Sequence, residues 1–255
     1  MTAALLIDIN GTLTAADEPL AGAIETMARI REAGIPYRYT SNIDSRPRAE
    51  VAGWLASLGF PVGEGEVFTP VVAAARGLRG LGCHPLVNKG VLSDLGGVEF
   101  EHGQASDGRS AEAVLVGDVR EGFTYENLDR AFGHLAAGAG LYALQKNRFR
   151  QSGAPGGVSL DTGAFVAALE YASGKTATVF GKPEAAFFDL AVKDLAVERR
   201  SVFVVGDDPA SDVAGAQAAG LLAVQVKTGK YDPDVDPGAD YTLNAFSDLP
   251  ELIGL

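Results

Sequence analysis

Four apolar runs in this chain end in side chains able to do chemistry. Ala3–Ile7 leads into Asp8-Ile9-Asn10-Gly11-Thr12, and Ile35–Tyr39 leads into Thr40-Ser41-Asn42. Thr176–Phe180 leads into Gly181-Lys182-Pro183, and Val202–Val205 into Gly206-Asp207-Asp208. If these runs are strands of one parallel sheet, their carboxyl ends share an edge, and ligands of open parallel sheets bind at that edge. Two carboxylates, a hydroxyl with an amide, and an ammonium would gather there. Such a set suits phosphoryl transfer. Magnesium takes oxygen ligands in an octahedron completed by water and phosphate oxygens, so Asp8 and Asp207 could hold it from two strands. Lys182 would neutralise the equatorial oxygens of the transferring group, and Ser41 would donate to one of them. Gly11 permits close backbone approach, so that loop amides can point at the phosphate. Strand ends also supply helix N-caps, and Asp208, directly before Pro209, reads as one.

The elements that must position these groups follow from the hydrophobic rhythm. Short β-branched runs alternate with Ala/Leu-rich stretches of helical period, the pattern of βα units. Helices are expected over Leu20–Ala33, Arg46–Leu58, Pro70–Leu81, Pro183–Ala196 and Pro209–Ala219, with further strands at Leu222–Val226 and Asp240–Leu243 and a short terminal helix around Leu249. Between about Gly82 and Lys175 the rhythm changes. Glycine-rich breaks at Gly103–Ser110 and Gly153–Gly157 separate short strands at Leu86–Asn88, Ala113–Val116 and Leu141–Lys146 from helices at Tyr125–Ala137 and Gly163–Ala172. The expected fold is α/β, a doubly wound, mostly parallel Rossmann-like core formed by 1–81 and 176–255, with an α/β cap domain inserted at 82–175. No G-x-G-x-x-G follows the first strand, which argues against a dinucleotide site.

A chain of 255 residues, 47% of them apolar, is long enough for such a core and a second lobe. Its 21 lysines and arginines against 33 aspartates and glutamates leave a net charge of −12, which repels nucleic acid and anionic membranes. The opening MTAALLIDIN has no basic segment before its apolar run, and no stretch is long enough to cross a bilayer. The single cysteine, Cys83, fits a reducing compartment, and the expected location is the cytoplasm. Its thiol reads as a small buried side chain, and His84, His102 and His134 lack metal-ligand spacing.

The residues Asp8-Ile9-Asn10-Gly11-Thr12-Leu13, Ser41-Asn42, Lys182 in GKPE and GDDPASD at Gly206–Asp212 resemble, in this order, the four motifs of the haloacid dehalogenase superfamily. The insert between the second and third is similar to the C2 cap of subfamily IIA, and FVAALEYASG, TVFGKPE, DVAGAQAAG and VKTGKY extend the likeness. The resemblance implies that Asp8 attacks phosphorus to form an aspartyl-phosphate, which water then hydrolyses. It implies that Asp8, the Asn10 carbonyl and Asp207 hold Mg2+, with Asp212 orienting Lys182 or a metal-bound water, and it leaves Asp208 either to cap the following helix or to contact the metal. Ser41, Asn42 and Lys182 would hold the phosphate.

One position departs from the family pattern. Asn10 stands where the usual phosphatase has an aspartate that protonates the leaving group, and an amide cannot transfer that proton. The expected substrates are therefore small phosphorylated compounds with good leaving groups: phosphoramidates, pyrophosphate, aryl or acyl phosphates. The alternative reading is a weakly active or inactive descendant that binds metal and phosphate and acts through partners. Within the insert, Lys146, Arg148 and Arg150 are spaced by two and would share one face of a strand. They read either as a second anion site or as the charged protection of an edge strand. Lys227 and Lys230 read as a polar loop. The expected partner is a small phosphorylated substrate, with no nucleic acid and no membrane, and assembly into a homo-oligomer is left open.

Overall fold

The computed structural model describes residues 4–101, 110–151 and 157–255. His102 and most of the two glycine-rich breaks lie outside the described residues. The chain divides into two compact units, Met1–Ser41, Arg48–Thr69 and Lys182–Leu255 in the first, and Asn42–Pro47 and Pro70–Gly181 in the second.

The first unit is built on a six-stranded sheet in the order Tyr241–Leu243, Leu222–Val226, Val202–Gly206, Ala4–Asp8, Tyr37–Thr40, Val67–Phe68. Every pairing in it is parallel. All five residues of Ala4–Asp8 are buried, as expected of a strand covered on both faces. The sheet grows from this strand in one direction early in the chain and in the other direction late. The order therefore reverses between Ala4–Asp8 and Val202–Gly206, the position where open α/β sheets bind ligands. The Ala23–Glu32 helix buries Ala23, Thr26, Met27 and Ile30, one stripe at helical spacing. The Ala185–Leu195 helix buries Phe187, whose ring meets Phe68 edge-on at 5.2 Å.

A small hairpin, Thr14–Ala15 with Glu18–Pro19, follows the first strand and carries no clear sequence signal. Its two central residues, Ala16 and Asp17, have φ of 49° and 64°. Those angles belong to the primed turn that tight hairpins prefer, usually written with Asn-Gly or Asp-Gly. The hairpin delays the next helix, expected from Leu20, to Ala23.

The second unit has its own parallel sheet of five strands, ordered Thr178–Val179, Gly140–Ala143, Ala113–Val116, Gly82–Leu86, Glu99–Phe100, and a separate hairpin of Phe149–Gln151 with Val158–Leu160. Leu86, Val114, Val116, Ala131, Leu135 and Val166 form part of its core. Cys83 is buried there, and burial pushes its thiol up to about 12. His84 and His134 are buried too, their rings 4.7 Å apart.

This arrangement corrects the expected boundaries. The run Thr176–Phe180 does not rejoin the first sheet: Thr178 and Val179 pair with Tyr142 and Ala143, and Phe180 stacks on Tyr142 at 5.8 Å. A two-residue strand carries too little pattern to specify its neighbours, and the aromatic contact seats it in the second unit. The Pro70–Gly77 helix also falls in the second unit, so the first resumes at Lys182 rather than 176. Among the described residues, no helix is long and apolar enough to cross a membrane.

Asp44 is buried in the second unit, where one of its oxygens accepts the Asp118 N–H at 3.1 Å. Burial, reinforced by the Asp118 charge, lifts its carboxyl to about 7. An unfolded aspartate titrates near 3.9. Between about pH 4 and 7 the folded chain therefore holds a proton that the unfolded chain has released, and stability falls as pH rises through that window. Asp44→Asn keeps an oxygen acceptor for Asp118 and removes the titration. Urea unfolding should show a flatter stability profile between about pH 4 and 7, and a gain on the order of 2–4 kcal/mol above it.

Candidate active site

The register of the first sheet decides which side chains meet. Ile7 is paired with Val205 and Asp8 with Thr40, so Asp207 and Ser41 lie just past the two strands flanking Asp8. Lys182 opens the segment that re-enters this unit, and Asp212 sits in the helical turn Pro209–Val213 behind Asp207. Asp8, Ser41, Lys182, Asp207 and Asp212 are all buried.

The Lys182 ammonium donates to Asp8 Oδ1 at 2.5 Å and to Asp212 Oδ1 at 2.7 Å. Carboxylate oxygens of Asp8, Asp207 and Asp212 lie within 4.8 Å of one another, the only such group that could hold a metal ion among the described residues. Asp8 Oδ2 is buried and receives no hydrogen bond within the protein. Asp207 is held at both oxygens: Thr12 Oγ1 donates to Oδ1 at 3.3 Å, and the Lys230 N–H to Oδ2 at 2.7 Å. A Cβ on Gly11, at φ 96°, would fall on this carboxylate, so only glycine lets the loop after Asp8 pass so close.

The electrostatics follow from burial. Desolvation raises the Asp8 carboxyl, and Lys182 only partly offsets it. Burial likewise lifts Asp212, to about 6, against the pull of Lys182. Asp207 is raised for the same reason. Burial alone would lower Lys182, but Asp212 and Asp8 together outweigh it and hold the ammonium above its ordinary range. Three crowded carboxylates facing one ammonium form an all-oxygen set, and Asp8 Oδ2 is left without a donor. A hard divalent cation fits such a set.

Asp208 is not part of that group. Its Oδ1 accepts the Ala210 and Ser211 N–H groups at 2.9 and 3.3 Å, the helix-capping role expected of it. Its Oδ2 accepts the Lys230 ammonium at 2.7 Å. Burial works against this carboxylate, but the Lys230 contacts and its cap bonds bring it below the ordinary range. Lys230 is thus more than part of a polar loop, and Thr12, Thr228 and Gly229 join it as residues that the sequence reading did not single out for the site. The signal for Thr228, Gly229 and Lys230 was the VKTGKY stretch, whose position after a core strand places it next to Asp207, and that for Thr12 was its place in the motif after the first strand.

The remaining expected site residues are placed differently. Asn10 has an exposed side chain, while Asn42, Lys146 and Arg148 belong to the second unit. The expected strand over Leu141–Lys146 is confined to Gly140–Ala143, and the next begins at Phe149, so Lys146, Arg148 and Arg150 do not share one strand face. An irregular segment intervenes, in which the Asn147 N–H donates to Gln145 Oε1 at 2.6 Å. Lys146 instead pairs with Glu170 at 2.8 Å.

Removing one partner from a buried charge cluster leaves the others uncompensated. Lys182→Met should therefore destabilise the metal-free protein by about 3–5 kcal/mol in denaturant unfolding at neutral pH. An added divalent cation should recover part of that loss, by binding the folded state alone.

Comparison with known proteins agrees with this arrangement. A haloacid dehalogenase-like hydrolase family model matches residues 5–100, and a HAD-hydrolase-like model matches residues 179–249. The chain is 36% identical over 260 residues to the Bos taurus phospholysine phosphohistidine inorganic pyrophosphate phosphatase, covering 98% of this chain and 93% of the relative. It is 38% identical over 230 residues to the Homo sapiens haloacid dehalogenase-like hydrolase domain-containing protein 2, covering 89% and 85%. The structure of the p-nitrophenyl phosphatase from Archaeoglobus fulgidus superposes with a TM-score of 0.87 at 25% identity, covering 98% of this chain and 99% of that one. With a sheet reversal that gathers Asp8, Lys182, Asp207 and Asp212, and with relatives matched across nearly their whole length, the chain belongs to the haloacid dehalogenase-like hydrolase family.

Proposed function

We propose that the protein is a magnesium-dependent phosphatase acting through an aspartyl-phosphate on Asp8, with small substrates that carry good leaving groups. The observation that carries this reading is Asp8 itself: one oxygen is held by Lys182, and the other is buried without a donor beside two further carboxylates. Asp8 and Asp207, with the Asn10 carbonyl, would hold Mg2+, which when bound would neutralise phosphate charge. Asp212 would keep Lys182 in place and orient it.

Asp8 Oδ2 attacks phosphorus in line, forming the acyl-phosphate bond as the bond to the leaving group breaks. Lys182 balances the charge on the equatorial oxygens, and Ser41 donates to one of them. Water then attacks phosphorus and restores the Asp8 carboxylate. Asn10 holds position but delivers no proton, so the leaving group departs as an anion or takes its proton from water. That cost is small for phosphoramidates, pyrophosphate and aryl phosphates and large for alkyl phosphates. Relatives named for phospholysine, phosphohistidine and pyrophosphate, and for p-nitrophenyl phosphate, support the same substrate class. The second unit is assigned as a C2-type cap, and the cytoplasm as the compartment. A second reading, a weakly active descendant that binds metal and phosphate for a partner, rests on Asn10 alone.

Asp8→Asn should abolish turnover and weaken magnesium binding while leaving the circular dichroism spectrum intact. Retained turnover would eliminate Asp8 as nucleophile. Asn10→Asp should speed hydrolysis of alkyl monophosphates by about 10²-fold while changing aryl phosphates much less. A series of leaving groups run on both proteins reads this as a flatter dependence of rate on leaving-group pKa. An unchanged slope would mean that another group supplies the proton. Wild-type protein that turns over none of these substrates with magnesium would favour the second reading.

A further inference from the structure

Two consecutive aspartates follow the Val202–Gly206 strand, yet only Asp207 joins the three-carboxylate group. The turn after the neighbouring strand separates their fates. Leu222–Val226 pairs in parallel with Val202–Gly206, Gly206 opposite Gln225, so the residues after Val226 emerge beside Asp207 and Asp208. Lys227 ties the start of the turn to the next strand, donating its N–H to Leu243 O at 3.0 Å. Thr228 Oγ1 then donates to the Gly11 carbonyl at 2.5 Å, joining the turn to the loop that follows Asp8. Gly229 has φ 52°, and a Cβ there would strike both the Asp207 carboxylate and Gly11 Cα. Lys230 completes the turn, with its N–H on Asp207 Oδ2 and its ammonium on Asp208 Oδ2, each at 2.7 Å.

We infer that the Thr228-Gly229-Lys230 turn is a positioning element of the metal site, with Thr228 as its principal tether. It presses Asp207 against the loop of Asp8 and keeps Asp208 in its capping role. The inference rests on the proposed magnesium site and names what sets its geometry. Thr228 is the stronger tether because its hydroxyl is partly buried and bonds directly to the loop of Asp8. The Lys230 side chain is 73% exposed, and ion pairs in that setting contribute little, so it acts as a secondary latch.

The test is calorimetric titration of Mg2+ into the metal-free full-length protein. Thr228→Val keeps shape and charge and removes the hydroxyl. It should raise the Kd for Mg2+ by about tenfold, the usual size of effect when a group orienting a ligand is lost, while Thr228→Ser stays within about threefold of wild type. A merely structural role would lower the melting temperature of the metal-free protein and leave Kd alone. A second pair of variants does not depend on Thr228 and decides the matter should Thr228→Val not fold. Lys230→Met removes a positive charge and Asp208→Asn a negative one, so simple electrostatics would move Mg2+ affinity in opposite directions. A latch moves both toward weaker binding, by about threefold. Wild-type affinity in Thr228→Val, or opposite shifts in the second pair, would overturn the inference. If the wild type is active with magnesium and the variants bind it equally well, only this inference fails. A wild type that neither binds magnesium nor needs it overturns the proposed function and this inference together.

Discussion

Lys182 can be buried between Asp8 and Asp212 only because all three side chains, brought from separate parts of the chain, arrive at the same point of the sheet. A charged group taken out of water costs several kcal/mol, and mutual attraction repays this only when the geometry is right. The requirement reaches well beyond the triad. It demands that Ala4–Asp8 and Val202–Gly206 be neighbours in parallel register, and that the chain re-enter the first unit at Lys182. The cluster is thus a poor source of stability and a strong constraint on topology.

Crowding is the second theme of the site. Burial raises Asp8, Asp207 and Asp212 alike, and Lys182 cannot compensate all three. A divalent cation bound there would offset such an excess of carboxylate, since it would supply the missing charge. Close approach is what makes the excess possible. Glycine at 11 and at 229 allows two loops to close on one carboxylate, where any side chain would collide with it. Asp208 shows the contrast: one residue further on, backbone N–H groups and an ammonium satisfy the same functional group outside the cluster.

On the proposed reading, Asn10 separates two demands that the resemblance to the family assigns to one aspartate. Its backbone remains available beside Asp8, whereas its side chain cannot carry a proton. Under the proposed function, a site so altered would keep the groups that hold phosphate and metal and would lack the means to protonate a basic leaving group. Chemistry at such a site would select among substrates by the stability of the departing anion.

The polar groups after the first, second and fourth apolar runs, their order along the chain and the α/β class were legible in the sequence, because parallel strands buried in a core read as apolar runs and the groups after them as a list of chemical functions. Asp8, Lys182 and Asp207 could be named on that basis, as could the capping role of Asp208, whereas Asp212 came only with the resemblance to the haloacid dehalogenase motifs. Three things were not legible. The hairpin at Thr14–Pro19 lacks the usual turn residues, since Ala16 is not a residue expected at positive φ. Thr178–Val179 is too short to declare its sheet, and only its pairing with Tyr142 and Ala143 assigns it. The Thr228–Lys230 turn acts on residues that lie about twenty or more than two hundred positions away, through hydrogen bonds in which one partner is a main-chain group that every sequence possesses. Residue types and their local spacing therefore determined which chemistry the chain could carry. Strand order and register decided which of those groups meet, because contacts between distant segments, and backbone hydrogen bonds above all, leave no trace in composition or period.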